Sequence, residues 1–309
     1  RQADFDGDVA LLECRFSGTL YRCCRLASGR AAKTSQHMIP TLFLTGLLSL
    51  TPLEPEGFPE KLVESAAGHF KPGGMVALQL KPGVSVKVDD RPVTTDKGLA
   101  VFGYGRDAGK ETTLKFSMDG QDYAVIRPLE KRDYNIQYVE GVAQKYVSPP
   151  ETVLKRIRLE GQQKKQARRE SASKALFGKK FYWPLKGRIT GVYGSQRYFN
   201  GEARRPHYGL DIAAPAGTPV MAMTSGTVTL AEQSMYYEGG LVFIDHGMGL
   251  LSAYLHLSQI NVKSGDKVDA QQIIGRVGSA GRSTGPHLDW RVYWRDRRLD
   301  PALLVSSED

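Results

Sequence analysis

Short strand-like segments and glycines alternate through the last third of the chain, and this pattern constrains the fold more than any other feature of the 309 residues. Apolar and β-branched runs occur at 218–222, 226–230, 241–245, 251–256 and 274–277, with turn formers between them. Strands this short and this closely spaced are typical of an antiparallel sheet that folds back on itself. We therefore predict a mainly β chain in which residues 181–309 form an antiparallel β domain.

A second set of alternating segments predicts a smaller β domain at 54–147. The segments 76–80, 84–88, 112–116 and 123–126 alternate apolar and polar residues, and Pro-Gly or Asp-Gly turns follow two of them. The expected architecture is an accessory β-sandwich of immunoglobulin-like type. Its one histidine, His69, has no cluster of histidines, cysteines or paired carboxylates around it in sequence. We expect this domain to hold, cover or position something rather than to perform chemistry.

The positive charge of the chain is concentrated between the two domains. Residues 151–188 carry twelve lysines and arginines against three acidic residues, which accounts for the formal charge of +9. Neither domain offers a basic face, so we expect no nucleic-acid partner. The segment 148–180 opens with two prolines and continues in helix-forming residues, which predicts a basic helical linker. It is either a solvated spacer or a segment attracted to anionic wall polymer or lipid head groups.

The N-terminal residues divide at Met38. Residues 1–37 contain all three cysteines and no sustained helical or alternating pattern, whereas Met38 begins an apolar run that ends near residue 53. At 38–53 the run is too short for a membrane span of about 20 residues and predicts a signal peptide. An uncleaved membrane anchor and a buried segment of the accessory domain are the alternatives. If Met38 is the start, residues 1–37 are an upstream extension and the mature chain has no cysteine for a disulfide or a thiolate metal site.

Histidines and carboxylates cluster on the predicted strands of the C-terminal domain, which holds four of the six histidines. His207 and Asp211 stand four residues apart in a loop that passes into a strand, so both can reach one ion. Side chains two apart in a strand share a face, so His287 should lie beside Asp289. The same argument places His256 on the face of the tyrosine two residues before it. The spacing indicates a metal site.

Three longer motifs follow one another in this region. They are His-x-x-x-Asp at 207–211, Tyr-Leu-His-Leu-Ser at 254–258 and Gly-Arg-Ser-Thr-Gly-Pro-His-Leu at 281–288. In this order they closely resemble the lysostaphin or LytM-type metalloendopeptidases, over about residues 181–305. The resemblance implies an antiparallel β core with a groove, one zinc ion per chain and no other cofactor. It also implies hydrolysis of peptide bonds in peptidoglycan stems or cross-links.

The resemblance assigns roles residue by residue. His207 and Asp211 correspond to metal ligands, and His256 and His287 to the catalytic pair that handles the attacking water and the developing oxyanion. Asp289 departs from the family pattern, because a second histidine usually supplies the third zinc ligand there. A carboxylate can also ligate zinc, so we expect Asp289 to complete the site. The added anion should make a zinc-bound water a weaker acid.

Two further residues have roles that the motifs leave open. Tyr198, in the loop before the first motif, is either a donor to the oxyanion or a tyrosine packed in the groove wall. His246 stands in a predicted turn, and we interpret it as structural.

Three functions are consistent with the resemblance. The favoured one is an exported zinc metalloendopeptidase of the periplasm or cell envelope. Its partners would be peptidoglycan and other wall hydrolases or division proteins, with membrane contact only through the signal or an uncleaved anchor. The alternative is a catalytically silent LytM-like domain that binds cell wall or activates another wall hydrolase. The third is a metallopeptidase that acts on proteins or small peptides.

Overall fold

The computed structural model describes residues 11–16, 19–24, 48, 50–54, 57–169 and 171–305. Strands dominate these residues, which confirms the predicted mainly β class. No helix in the described ranges is long and apolar enough to cross a membrane. The predicted signal at 38–53 lies mostly outside these ranges. Its last residues run beside the first core strand, where Gly68 donates to the Thr51 carbonyl and Leu53 to the Ala66 carbonyl.

Two antiparallel sheets form the N-terminal region and contribute to one apolar core. The first has the order β3-β4-β8-β7 and contains β3 (Val63–Gly68), β4 (Met75–Leu80), β7 (Thr95–Asp96) and β8 (Leu99–Gly103). The second contains β5 (Ser85–Val88), β6 (Arg91–Pro92), β9 (Glu111–Met118) and β10 (Gln121–Pro128), in the order β10-β9-β5-β6. Two sheets on a shared core are sandwich-like, as predicted.

The Asp-Gly turn between β9 and β10 is the tight hairpin that its sequence indicates. Asp119 and Gly120 both have positive φ, at 52° and 73°, and the flanking residues Met118 and Gln121 pair directly. Asp and Gly tolerate this left-handed backbone. At the outer edge of β10, the strands β1 (Leu11–Phe16) and β2 (Thr19–Cys24) add a further hairpin, which the sequence pattern did not predict.

A ten-stranded sheet forms the C-terminal region, and each strand of its main path is antiparallel to the next. That path is β12 (Arg188–Gly191), β15 (Leu210–Ala213), β22 (His287–Trp294), β19 (Leu250–Ile260), β18 (Gly239–Gly247), β17 (Gly226–Met235) and β20 (Lys267–Val268). Three more strands attach to it, β16 (Pro219–Met221), β21 (Ile273–Val277) and β23 (Arg297–Leu299), and a 3-10 helix, Pro301–Leu303, follows.

The central strand β19 is buried on both faces, which explains why its sequence reads as an apolar run. Leu251, Ala253 and Leu255 belong to one apolar cluster. Tyr254 and Leu257, which face the other way, belong to the larger core. That larger core also includes the N-terminal sheets, so the two regions share apolar packing.

The linker helix docks on the C-terminal region. The segment contains α1 (Gln144–Val147) and α2 (Glu151–Ala167). Glu160 of α2 is buried, and its carboxylate accepts from the Tyr236 backbone N–H at 2.9 Å and from Arg156 at 2.6 Å. Lys164 pairs with Glu238 at 2.5 Å. Most residues of α2 are exposed, as expected of a basic linker helix, and two of its side chains also hold the turn that joins β17 to β18.

Ahead of these helices, β11 (Ile136–Val139) also lies on the C-terminal region. It pairs in parallel with β13 (Gln196–Phe199), which pairs in turn with β14 (Glu202–Ala203). The segment 136–147, placed in the accessory domain on sequence, therefore runs beside the loop that precedes β15.

Candidate metal centre

The site forms where β15 pairs with β22. The register sets Asp211 opposite Asp289, and Ala213 opposite His287. Residues directly opposite in an antiparallel pair have side chains on the same face, so both carboxylates point to one side of the sheet. His207 lies in the loop before β15. His207, Asp211 and Asp289 are all buried, and one ligand atom from each lies within 4.8 Å of the others.

Two atoms of this cluster, His207 Nε2 and Asp211 Oδ1, have no hydrogen-bond partner among the described residues. They lie 3.1 Å apart, which is ion-pair distance if the ring is protonated, but they are not aligned for a hydrogen bond to each other. A buried polar atom without a partner costs about 1–3 kcal/mol, so two of them side by side require an explanation. A cation between them would satisfy both, because imidazole nitrogen and carboxylate oxygen are ordinary ligands of divalent metals. The residues fit a metal ion.

Arg197 is hydrogen-bonded to the second carboxylate oxygen of Asp211, Oδ2. Its Nη2 donates to Oδ2, and both side chains are largely buried. Burial alone would raise the pKa of Asp211, but the charges of His207, Arg197 and His287 outweigh it and hold that pKa below its usual value. Asp211 is therefore a carboxylate with one oxygen engaged and the other open.

Arg291 engages both oxygens of Asp289. Its Nε donates to Oδ1 at 2.9 Å and its Nη2 to Oδ2 at 2.5 Å. Burial opposes ionisation of Asp289, yet the guanidinium lowers its pKa to about 2. Each carboxylate oxygen has two lone pairs, so this pairing leaves room for a metal bond. Arg291 was not among the predicted site residues, although the period of two along β22 places it on the face of Asp289.

Two glycines allow the backbone to approach these carboxylates. A Cβ on Gly191 would lie 2.3 Å from Asp211 Oδ2, and one on Gly209 would lie 2.5 Å from Asp289 Oδ1. Any side chain at either position would displace a carboxylate from its arginine. At both positions it is the lack of space for a Cβ, rather than a positive φ, that requires glycine.

Regular alternation along β19 would direct His256 away from the carboxylates. The pairing with β22 sets Leu255 opposite Asp289 and Tyr254 opposite Trp290. Tyr254 therefore lies on the face away from Asp289, and a regular strand would place His256 there too.

A bulge turns His256 back to the site. Its φ is 64°, and β19 gains one residue relative to β18 between Tyr254 and Leu257. The centroid of its ring lies 4.8 Å from that of His287. The expectation that His256 shares the face of Tyr254 is wrong, because a β-bulge inserts one residue and reverses the alternation beyond it.

In both His256 and His287, Nδ1 donates a hydrogen bond and Nε2 is left as the acceptor. Nδ1 of His256 lies 2.8 Å from the Ala280 carbonyl, and Nδ1 of His287 lies 2.8 Å from the Gly285 carbonyl. A carbonyl can only accept, so the proton of each neutral ring is on Nδ1 and Nε2 is free to take another. Burial, reinforced by the charge of His287, lowers the pKa of His256 to about 4. His287 Nε2 lies 4.0 Å from the open oxygen of Asp211.

His246 lies apart from this site and fits the structural interpretation. It is fully buried, with Nδ1 2.8 Å from the Ser225 carbonyl and Nε2 2.8 Å from the Ser252 hydroxyl. Burial lowers its pKa to about 4.

Tyr198 makes a packing contact. Its ring stacks on Tyr138 of β11, with the centroids 5.1 Å apart. This contact joins β13 to β11, and the role of Tyr198 at the groove stays a prediction.

The profile of peptidase family M23 matches residues 205–301, a range that includes all five predicted site residues. The C-terminal region contains a peptidase family M23 domain. The motif-based resemblance to lysostaphin and LytM is thereby confirmed at the level of the family.

Three curated relatives show how far the similarity extends. The Vibrio cholerae peptidoglycan DD-endopeptidase ShyA is 46% identical over 116 residues, 37% of this chain and 27% of its own length. The Caulobacter vibrioides cell division protein DipM is 34% identical over 132 residues, 41% and 21% of the two chains. An uncharacterized metalloprotease of Haemophilus influenzae is 30% identical over 199 residues, 63% and 34%. The chain spans about a third or less of the length of these relatives.

A solved structure extends the similarity beyond the M23 domain. A Pseudomonas aeruginosa protein assigned to peptidase M23 is 28% identical, with a TM-score of 0.58. The alignment covers 76% of this chain and 94% of that one, so the shared fold includes residues on the N-terminal side of the matched range.

Proposed function

We propose that this chain is an exported zinc metalloendopeptidase that hydrolyses peptide bonds of peptidoglycan stems or cross-links. The observation that carries the proposal is the buried couple of His207 Nε2 and Asp211 Oδ1, which lack partners and lie beside a second carboxylate. Two imidazoles stand next to them. The substrate class is supported by ShyA, which is named a peptidoglycan DD-endopeptidase and is 46% identical over the matched residues.

In this proposal His207, Asp211 and Asp289 hold the ion, and zinc accepts such a set of one imidazole and two carboxylates. When bound there, zinc would polarise the scissile carbonyl and lower the pKa of a water molecule. Asp289 adds a negative charge that weakens both effects. Arg291, bonded to both oxygens of Asp289, supplies a compensating positive charge.

His256 and His287 would move and hold protons. The neutral ring of His256, with its proton on Nδ1, offers Nε2 to take a proton from the attacking water. His287 stands 4.0 Å from the carboxylate of Asp211, which suits it to carry a positive charge beside the oxyanion. General acid–base assistance of this kind is worth about 10² to 10⁴ in rate.

The test is digestion of isolated sacculi by the full chain with added zinc, followed by mass spectrometry of the released muropeptides. We expect peptide-bond cleavage by the parent and none by Asp211→Ala. His256→Ala should retain zinc and lose about 100-fold or more in turnover. His69→Ala is the matched control, because His69 is half-buried and far in sequence from the site, and it should behave like the parent. Cleavage by Asp211→Ala would contradict the proposal.

One observation favours the alternative of a catalytically silent wall-binding domain. Arg291 already satisfies both oxygens of Asp289, so that side of the cluster is balanced without a metal. DipM, a relative at 34% identity, is named a cell division protein. A silent domain would bind sacculi in both the parent and Asp211→Ala and would release no product from either.

Export is required by the substrate, because peptidoglycan lies outside the cytoplasm. The apolar run at 38–53 would supply the signal. Fusing residues 38–60 to a reporter that is active only after export should give activity, whereas a fusion that begins at residue 54 should be inactive. Equal activity of the two fusions would contradict this part of the proposal.

A further inference from the structure

β11 lies outside the residues that match family M23, yet it is hydrogen-bonded to the candidate metal centre. Gln137 Oε1 accepts from Arg197 Nε at 2.9 Å. Gln137 Nε2 donates to the Thr190 carbonyl, at the end of β12, at 3.1 Å. Because donor and acceptor are both engaged, the amide of Gln137 is held in one orientation.

The same arginine continues the chain of bonds to a proposed metal ligand. Arg197 donates through Nε to Gln137 and through Nη2 to Asp211 Oδ2. The guanidinium is planar, so two bonds on different nitrogens fix its plane. Asp211 then keeps Oδ2 on the arginine and Oδ1 toward His207.

We propose that Gln137 is a positioning residue of the metal site. It fixes Arg197, and Arg197 fixes the rotation of the Asp211 carboxylate so that one oxygen is left for the metal. Outer partners of this kind orient metal ligands and commonly affect affinity. The inference rests on the proposed function only in taking His207 and Asp211 as metal ligands.

The backbone around Gln137 is anchored, so its position does not depend on a flexible side chain alone. Gln137 stands directly opposite Arg197 in the parallel pairing of β11 and β13. The Asn200 N–H donates to the Val139 carbonyl at 3.1 Å, and the Asn200 side chain bonds both backbone groups of Val142. Residues 136–142 are thus tied at several points to β13, which carries Arg197, and to the turn that follows it.

The decisive variant is Gln137→Met in the full chain, which removes both amide bonds and keeps the length of the side chain. Zinc affinity is measured by competition with a chromogenic chelator, and thermal unfolding is measured without metal. We expect zinc binding about tenfold weaker than in the parent. Ile136→Thr is the matched control, since Ile136 is an exposed neighbour on the same strand, and it should bind zinc like the parent.

Two further variants distinguish whether Gln137 orients Arg197 or only attaches β11 to the C-terminal region. Gln137→Glu keeps an acceptor for Arg197 Nε and loses the donor to Thr190, so it should recover the zinc affinity. In an Arg197→Met background, adding Gln137→Met should cause no further loss, because the bond chain is already cut. If Gln137→Met does not fold, Gln137→Lys takes its place. Lysine keeps a donor for the Thr190 carbonyl but cannot accept from Arg197, so zinc binding should be weaker than in the parent.

The outcomes distinguish this inference from the proposed function. Parent-like zinc affinity in Gln137→Met, together with loss of zinc in Asp211→Asn, would overturn the role of Gln137 and leave the metal site intact. If the fold-losses of zinc affinity caused by Gln137→Met and by Arg197→Met multiply in the double variant, the role of Gln137 is also overturned. Parent-like zinc affinity in Asp211→Asn would overturn the metal site itself, and the role of Gln137 with it.

Discussion

Two groups of buried polar side chains lie on opposite faces of the central strands, and they differ in how completely their hydrogen bonds are satisfied. In the first, His246 bonds the Ser225 carbonyl and the Ser252 hydroxyl, each at 2.8 Å. The Tyr254 hydroxyl lies 3.1 Å from Ser252 and accepts from the Met223 N–H at 2.8 Å. Every polar atom named here has a protein partner.

The second group is less completely satisfied. His207 Nε2 and Asp211 Oδ1 have no partner among the described residues, although both are buried. Folding alone gives no reason to keep such atoms, because apolar replacements would be less costly. The bonds of His246 are complete within the chain, whereas the open atoms of His207 and Asp211 are those that the proposed metal ion would satisfy.

The largest effect is expected from Asp211→Asn. Its Oδ1 can still accept from Arg197, and its Nδ2 can donate to His207 Nε2, so the change completes the bonds of the second group. Zinc affinity should fall by about 100-fold or more. Metal-free thermal stability should fall by less than it does when a buried ion pair loses a partner outright, because the amide oxygen still accepts from Arg197. Zinc competition and calorimetry on the same sample check both.

Asp245→Asn is the matched control for that change. Asp245 is buried and accepts from Ser171, Ala172 and Gly247, so its bonds are complete. It should lose stability and keep zinc affinity. The comparison fails if both variants lose zinc affinity.

The next effect concerns the pair of Asp289 and Arg291. Asp289→His introduces the residue usual in the family but leaves the guanidinium of Arg291 without its carboxylate. We expect the free energy of unfolding of the metal-free chain to fall by about 3 kcal/mol. Adding Arg291→Met should recover most of that loss in urea unfolding. Equal stability of Asp289→His and the parent would show that the arginine does not need its partner.

A smaller effect should appear as a pH dependence of stability from the first group. The pKa of His246 is about 4 in the folded protein against an ordinary 6.5, so the unfolded chain binds more protons between these values. Stability should therefore fall by about 2 kcal/mol as the pH drops from 7 to 5, and this contribution should level off below pH 4. Urea unfolding in chelator compares the parent with His246→Gln, whose curve should be flatter by that amount. An equal dependence of stability on pH in the parent and in His246→Gln would contradict this prediction.

The smallest effect is expected from Gly209→Ala. The new Cβ would meet Asp289 Oδ1 at 2.5 Å and would push the carboxylate from its place. Zinc affinity should fall about tenfold, the scale found when the surroundings of a ligand are disturbed. Gly161→Ala is the control, because its Cβ points into open space in α2 and should leave zinc affinity unchanged. Stronger zinc binding by Gly209→Ala would count against Asp289 as a ligand.

Much of this arrangement could be predicted from the sequence, because it depends on local pattern. The density of short strands predicted the C-terminal sheet. The spacing of His207 and Asp211 predicted that both side chains can reach one ion, and the structure places them close together. The register of β15 and β22 adds Asp289 to the same face, as the period of two indicates.

What the sequence did not reveal depends on local irregularity or on long-range contact. The bulge at His256 breaks the alternation that any pattern-based argument assumes, and its positive φ has no sequence signal. Arg197 meets Gln137 across 60 residues of chain, so only the fold shows that the two are connected. Arg291 lies just beyond the last motif, and the period of two alone places it on the face of Asp289.

The bonds between β11 and the loop before β15 also limit how such a chain can be shuffled in evolution. A recombination event that moved only residues 205–301 into another protein would carry the histidines and carboxylates of the site. It would leave behind Arg197 and the strand that holds it. A segment that keeps the bonds from Gln137 through Arg197 to Asp211 therefore begins near residue 135.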